Sequence, residues 1–142
     1  MSITGKYQHY KNEDLDDYFL AIGVPLIGRK MMIVSSPLME ITVEGDNYKI
    51  SNSSLFRTTE TKFRLGEEYD EKMPNTTIKS ITTRPKDNEL VTSSVIPGNN
   101  EKCGRHFIFT EDECTIVSDI TKLLYLLFSL KNKVTISFFF RH

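Results

Sequence analysis

The sequence predicts an all-β protein, an antiparallel meander of short strands forming a sandwich or barrel, interrupted once by two short helices. Three observations predict it. Turn signals recur at short spacing through the middle of the chain, at "EGDN" (44–47), "RPKDNEL" (84–90), "IPGNNEK" (96–102) and "FTEDECT" (109–115). Between them, apolar and polar residues alternate with the period of two that a half-buried strand requires. A single segment, 12–36, carries instead a helical spacing of apolar residues.

The elements follow in order. A first strand precedes residue 12. In "NEDLDDYFLAIGV", Leu15, Tyr18, Phe19 and Ile22 recur at i, i+3, i+4 and i+7, which places them on one helix face. Asn12, Asp14, Asp16 and Asp17 crowd the start of this helix, where caps and negative charge suit the unsatisfied N–H groups. Gly23 and Pro25 stop it, and a second short helix fits "LIGRKMMIV" before Pro37. "MEITVEGDNYKIS" (39–51) is the clearest hairpin: Ile41 and Val43 alternate with Thr42 and Glu44, and "YKI" begins the return strand. The turn at 109–115 brings Phe107 and Phe109 back toward Ile116 and Val117.

Length and composition narrow the class. A chain of 142 residues forms one domain with a sizeable core. A net charge of −1 exerts no global pull toward nucleic acid. The N-terminal "MSITGKYQHYKNEDLDD" is polar and acidic where a signal peptide needs an apolar run. The longest apolar run, "LLYLLFSL" (123–130), falls well short of the roughly 20 residues needed to span a bilayer. Without a signal peptide, Cys103 and Cys114 read as reduced thiols, so the expected compartment is the cytosol. Neither these cysteines nor His9, His106 and His142 form a ligand-spaced metal cluster. With no Gly-rich phosphate loop and no nucleophile–base set above chance, no cofactor is indicated and an enzyme is not expected.

One strand, two short helices and a meander, with these motifs, resemble the intracellular fatty-acid-binding protein family, which includes the cellular retinoid-binding proteins. The likeness runs from residue 5 to about 117. "GKY" (5–7) looks like the family's opening, and "DLDDYFLAIGVPLIGRKM" (14–31) like its helix-turn-helix. "VEGDNYKI" (43–50) looks like its first hairpin. "SLFRTTETKFRLGEEYDE" (54–71) is the most specific stretch, close to the family's Ser-x-Phe-Lys-x-Thr-Glu … Phe-x-Leu-Gly-x-Glu-Phe-x-Glu.

The resemblance implies a ten-stranded antiparallel up-and-down β-barrel, capped by the helix-turn-helix at about 14–35. It implies a monomer that encloses one long-chain fatty acid or similar lipid. "CGRHFIF" (103–109) resembles the eighth strand, where an inward arginine holds the ligand carboxylate, so Arg105 takes that role. Read from the residues alone, Arg105 shares a strand face with Cys103 and Phe107. It is then either an outward, solvated arginine or an inward one that needs an anionic partner. Leu15, Tyr18, Phe19, Val24, Met32 and Pro37 resemble positions at the cavity mouth, and Phe56 a portal residue. By spacing, the helical ones are equally the buried face of the two helices. Arg29 and Lys30 suit either docking on anionic membranes, a nuclear import surface, or a solvated helix face.

Three departures from the family stand out. The loop after "EEYDE" is short, "KMPNTTIKS" lacks a basic residue often found there, and no Arg-x-Tyr pair follows Arg105. From residue 118 the composition changes to Leu, Phe, Lys, Ile and Ser, with no Gly, Pro, Ala or Glu. The tail (118–142) is therefore not expected to be the family's ending. Val117-Ser118 can be encoded GTA-AGT, a splice-donor sequence, and the tail reads as translated intron. Within it, 121–130 reads as a short helix. "KVTISFFF" (133–140) alternates well enough to substitute for the tenth strand, with Phe138 and Phe140 in place of the lost Arg and Tyr. Otherwise the barrel keeps an open edge. The function expected is a non-enzymatic lipid carrier. The alternatives are a retinoid carrier of the same fold, an extracellular lipocalin-like carrier, an incomplete-barrel interaction protein, or a splice isoform without ligand.

Overall fold

The computed structural model describes residues 2–13, 26–27, 37–55, 57–73, 76–96, 101–121 and 133–141. It contains ten strands: β1 (Gly5–Glu13), β2 (Leu38–Glu44), β3 (Asn47–Ser53), β4 (Thr58–Arg64), β5 (Tyr69–Met73), β6 (Thr76–Thr83), β7 (Glu89–Ile96), β8 (Glu101–Phe109), β9 (Glu113–Thr121) and β10 (Lys133–Arg141). Their order in the single sheet is β4-β3-β2-β1-β10-β9-β8-β7-β6-β5. Every ladder is antiparallel. This is the expected up-and-down barrel, nearly closed. The helical cap lies outside the described residues, apart from Leu26 and Ile27, which are helical and exposed.

Local sequence explains the tight connections. Gly45 turns β2 into β3 at φ +61°, and Gly66 turns toward β5 at φ +76°. Both are left-handed positions that glycine adopts without a Cβ penalty. The Gly66 N–H is fixed by the Thr82 carbonyl at 2.9 Å, which ties this turn to β6.

Alternation puts Tyr7, Met39, Ile41, Leu90, Phe109 and Cys114 inside, each 1% exposed or less. They form one end of the barrel, where Tyr7 and Phe109 meet edge to face at 5.6 Å. Such an aromatic pair adds about 0.5–1.5 kcal/mol beyond its area burial. The sheet ends, β4 and β5, share no ladder. Rings span that seam instead: Tyr48 stacks on Phe63 at 5.5 Å, and Phe63 stacks on Tyr69 at 5.0 Å.

The C-terminal segment supplies the last strand. β9 runs without a break from Glu113 to Thr121, across the change in composition at 117–118. Residues 122–132 lie outside the described part, so the expected helix at 121–130 is covered only at Thr121, the last residue of β9. β10 then inserts between β9 and β1. Its phase differs by one residue from the expectation. Phe139, not Phe138 or Phe140, pairs with Cys114 and is 5% exposed. Phe138 packs against Tyr10, a residue on the outer face, at 6.0 Å. A shift of one residue exchanges the two faces of a strand, and the fixed ladder to β9 decides which face turns inward. On its other side β10 follows β1 through an irregularity between His9 and Lys11.

Candidate functional site

The barrel interior changes from apolar to polar along its axis. β8 carries the change: Phe109 and Phe107 face the apolar end, then Arg105, then Cys103. The ladders place Thr92 of β7 and Ser118 of β9 beside Arg105. Arg105 is inward, with 19% of its side chain exposed.

Its partner is Glu71, which the sequence reading did not single out. Glu71 lies on β5 two residues after Tyr69, on the same inner face. Arg105 Nη1 donates to Glu71 Oε2 at 2.5 Å, and Arg105 Nη2 donates to Glu71 Oε1. The fork matches the carboxylate edge to edge, the geometry in which arginine binds a carboxylate most strongly. The glutamate side chain is 12% exposed. Burial alone would push its carboxyl up. The adjacent guanidinium, with hydrogen bonds from Arg105 and Ser80, outweighs burial and holds it below the ordinary carboxylate value.

Hydroxyls extend this pair across two strands. Ser80 Oγ donates to Glu71 Oε1 at 3.0 Å and lies 2.7 Å from Ser94 Oγ. Arg105 Nη2 also reaches Ser94 Oγ at 3.4 Å. One step toward the apolar end, Tyr69 Oη lies 2.6 Å from Thr82 Oγ1, which lies 2.7 Å from Thr92 Oγ1. Burial pushes the Tyr69 phenol up, so it stays protonated. Ser80, Thr82, Thr92 and Ser94 are each 3% exposed or less. Buried hydroxyls are tolerated only when hydrogen-bonded, and here each has a hydroxyl or charged partner. The resulting band of donors and acceptors on β5 to β8 can hold one polar head group, and the apolar end can take a hydrocarbon chain.

Of the other residues expected at the site, the structure describes Pro37. Pro37, half-buried, accepts the His9 N–H at 3.1 Å and Gln8 Nε2 at 3.4 Å through its carbonyl, holding the entry into β2. Leu15, Tyr18, Phe19, Val24, Arg29, Lys30, Met32 and Phe56 lie outside the described residues. A cleft of about 580 Å³ opens at the β4–β5 seam, beside Tyr48, Phe63 and Tyr69. It does not reach Arg105 or Glu71. Cys103 and Cys114 are buried thiols, and among the described residues no cluster could hold a metal ion. No helix among them is long and apolar enough to cross a membrane.

One signal bore on Glu71 without selecting it. An inward arginine requires an acid, and the alternation of "EYDEK" puts Glu71 on the face of Tyr69. The hydroxyl band had a weaker signal, since Ser and Thr at alternate positions also suit a solvated strand face.

Comparison with known proteins agrees with the fold. Residues 4–111 match the model of the "Lipocalin / cytosolic fatty-acid binding protein family". The chain is 32% identical over 120 residues to the fatty acid-binding protein of Lepidoglyphus destructor, covering 83% of this chain and 90% of that one. It is 39% identical over 69 residues to the sodium/calcium exchanger regulatory protein 1 of Doryteuthis pealeii, covering 49% of this chain and about half, 52%, of that protein. The crystal structure of a fatty acid-binding protein from brain tissue of Drosophila melanogaster superposes with a TM-score of 0.78 at 29% identity, over 95% of both chains.

Proposed function

Because the chain belongs to the lipocalin / cytosolic fatty-acid-binding protein family, we propose that it is a non-enzymatic carrier of a long-chain fatty acid or similar lipid. The observation that carries this reading is the inward Arg105, set with buried hydroxyls at the edge of an apolar barrel interior. The carboxyl group meets Arg105 and the acyl chain runs toward the aromatic end. The mouth is lined by Leu15, Tyr18, Phe19, Val24, Met32, Pro37 and Phe56. The carrier works as a monomer in the cytosol, and Arg29 and Lys30 bring the mouth to anionic membrane surfaces for transfer.

Magnitudes set the division of labour. Burying about 15 methylenes at about 0.8 kcal/mol each contributes up to about 12 kcal/mol, and association costs at least about 4. A hydrogen bond to a charged group adds about 1.5–3 kcal/mol. The chain therefore determines whether a lipid binds, and the polar band determines which head group is kept.

The test is titration of delipidated protein with a fluorescent fatty-acid analogue. A saturable signal displaced by oleate is expected. Well-folded protein giving no such signal would overturn the reading. Extraction of lipid from the purified protein, followed by mass spectrometry, identifies the natural cargo.

A further inference from the structure

We propose that the head-group site accepts its ligand in uncharged form, taking a hydroxyl-bearing lipid directly and a fatty acid only together with one proton. This rests on the carrier reading and specifies what the carrier selects.

The inference starts from charge. Arg105 contributes +1 and Glu71 contributes −1, so the joined pair is neutral before any lipid arrives. Both ends of the guanidinium fork are already engaged by the same carboxylate. A lipid carboxylate arriving as an anion would put two carboxylates on one guanidinium and leave a net charge of −1.

The surroundings offer no compensating cation among the described residues. Ser80 faces the pair from β6, Thr92 and Ser94 from β7, and Ser118 from β9. The β10 position opposite Ser118 is Thr135. Among the described residues, Tyr69 and Cys103, on the pair's own strands, are its titratable neighbours. The phenol is neutral at neutral pH, and the thiol is no cation in either state. An unbalanced charge in such a place is strongly disfavoured, and the usual resolution is uptake of a proton.

An uncharged head group meets no such penalty. A hydroxyl can donate its O–H to Glu71 and accept from Arg105 or Ser94. A protonated carboxyl does the same with its O–H and its C=O. For a fatty acid the balance is one anion and one proton from water entering together, with that proton held between the lipid carboxyl and Glu71.

The experiment is isothermal titration of the delipidated full-length chain with oleate and with oleyl alcohol. Each titration is run at pH 7.5 in two buffers of different ionisation enthalpy. About one proton should be taken up per oleate and none per alcohol. Oleate affinity should fall about tenfold per unit between pH 7 and 9, while alcohol affinity stays level. Glu71→Gln leaves Arg105 charged, so this variant should bind oleate without proton uptake and without that slope. Oleate binding to the unmodified protein with no proton uptake overturns the proposal and leaves the carrier reading standing. Binding of neither lipid overturns both.

Discussion

The guanidinium of Arg141, on the last strand, lies 5.5 Å from the centre of the Tyr7 ring on the first. The same guanidinium donates to the carbonyls of Ser2 and Thr4, at 3.0 and 2.9 Å. Tyr7 is fully buried, and its Oη donates to the Ile3 carbonyl at 2.7 Å. The end of β10 thus grips the start of β1 through charge, ring and main chain together.

Arg141→Ala should therefore loosen the junction of the first and last strands. The lost cation–π contact and hydrogen bonds predict a destabilisation of about 1–2 kcal/mol, read as a lower urea midpoint. Arg141→Lys should recover part of it, since it keeps the charge but not the planar fork.

The phase of β10 is testable by paired truncations. Phe139→Ala empties a buried site beside Cys114 and His9 and should cost about 3–5 kcal/mol. Phe138→Ala removes a ring packed on partly exposed Tyr10 and should cost about 1 kcal/mol or less. Equal losses in chemical denaturation would show that the strand does not hold this phase.

Removing Arg105 should destabilise the protein even without lipid. Arg105→Ala leaves the Glu71 carboxylate buried and unpaired, at a cost of about 3–5 kcal/mol. Arg105→Met combined with Glu71→Leu should recover most of that stability. Denaturant midpoints of the single and double variants, measured on delipidated protein, decide it.

Acid should weaken the same pair. The Glu71 carboxyl is held below the ordinary value of 4.5. The stability it contributes is present above that value and is lost as pH falls through the lower folded one. A stability profile from pH 7 to 2 should drop in that window, and Glu71→Gln should flatten that part of the drop.

Burial pushes the Cys114 thiol far above its ordinary value. The thiolate is the nucleophile, so iodoacetamide should not modify Cys114 in the native protein at pH 8 and should modify it in urea. Peptide mass mapping gives the answer.

Much of the fold was legible because local chemistry specified it. The 39–51 hairpin had both its alternation and its turn residues, and the structure places β2 and β3 there, around Gly45. For Arg105, the strand face shared with Cys103 and Phe107 left inward and outward both open, and the likeness of "CGRHFIF" to the family's eighth strand pointed inward, where the structure puts it. The phase of β10 was not legible. In "VTISFFF" the wholly apolar set Val134, Ile136, Phe138 and Phe140 pointed to the other phase, and the ladder to β9, which sets Phe139 opposite Cys114, overrode it. Glu71 was missed for a related reason. Its partner lies 34 residues away, and only closure of the sheet brings β5 and β8 face to face across β6 and β7.

The seam between β4 and β5 has a mechanical meaning. Nine ladders make the rest of the wall, but at this joint stacked rings take the place of a backbone zipper. Rings slide over one another at little cost, whereas ladder bonds break. A change of girth at this slit would break none of the nine ladders, like a sleeve with a single pleat. The two raw edges also face each other, so the compliance comes without offering a strand to another chain.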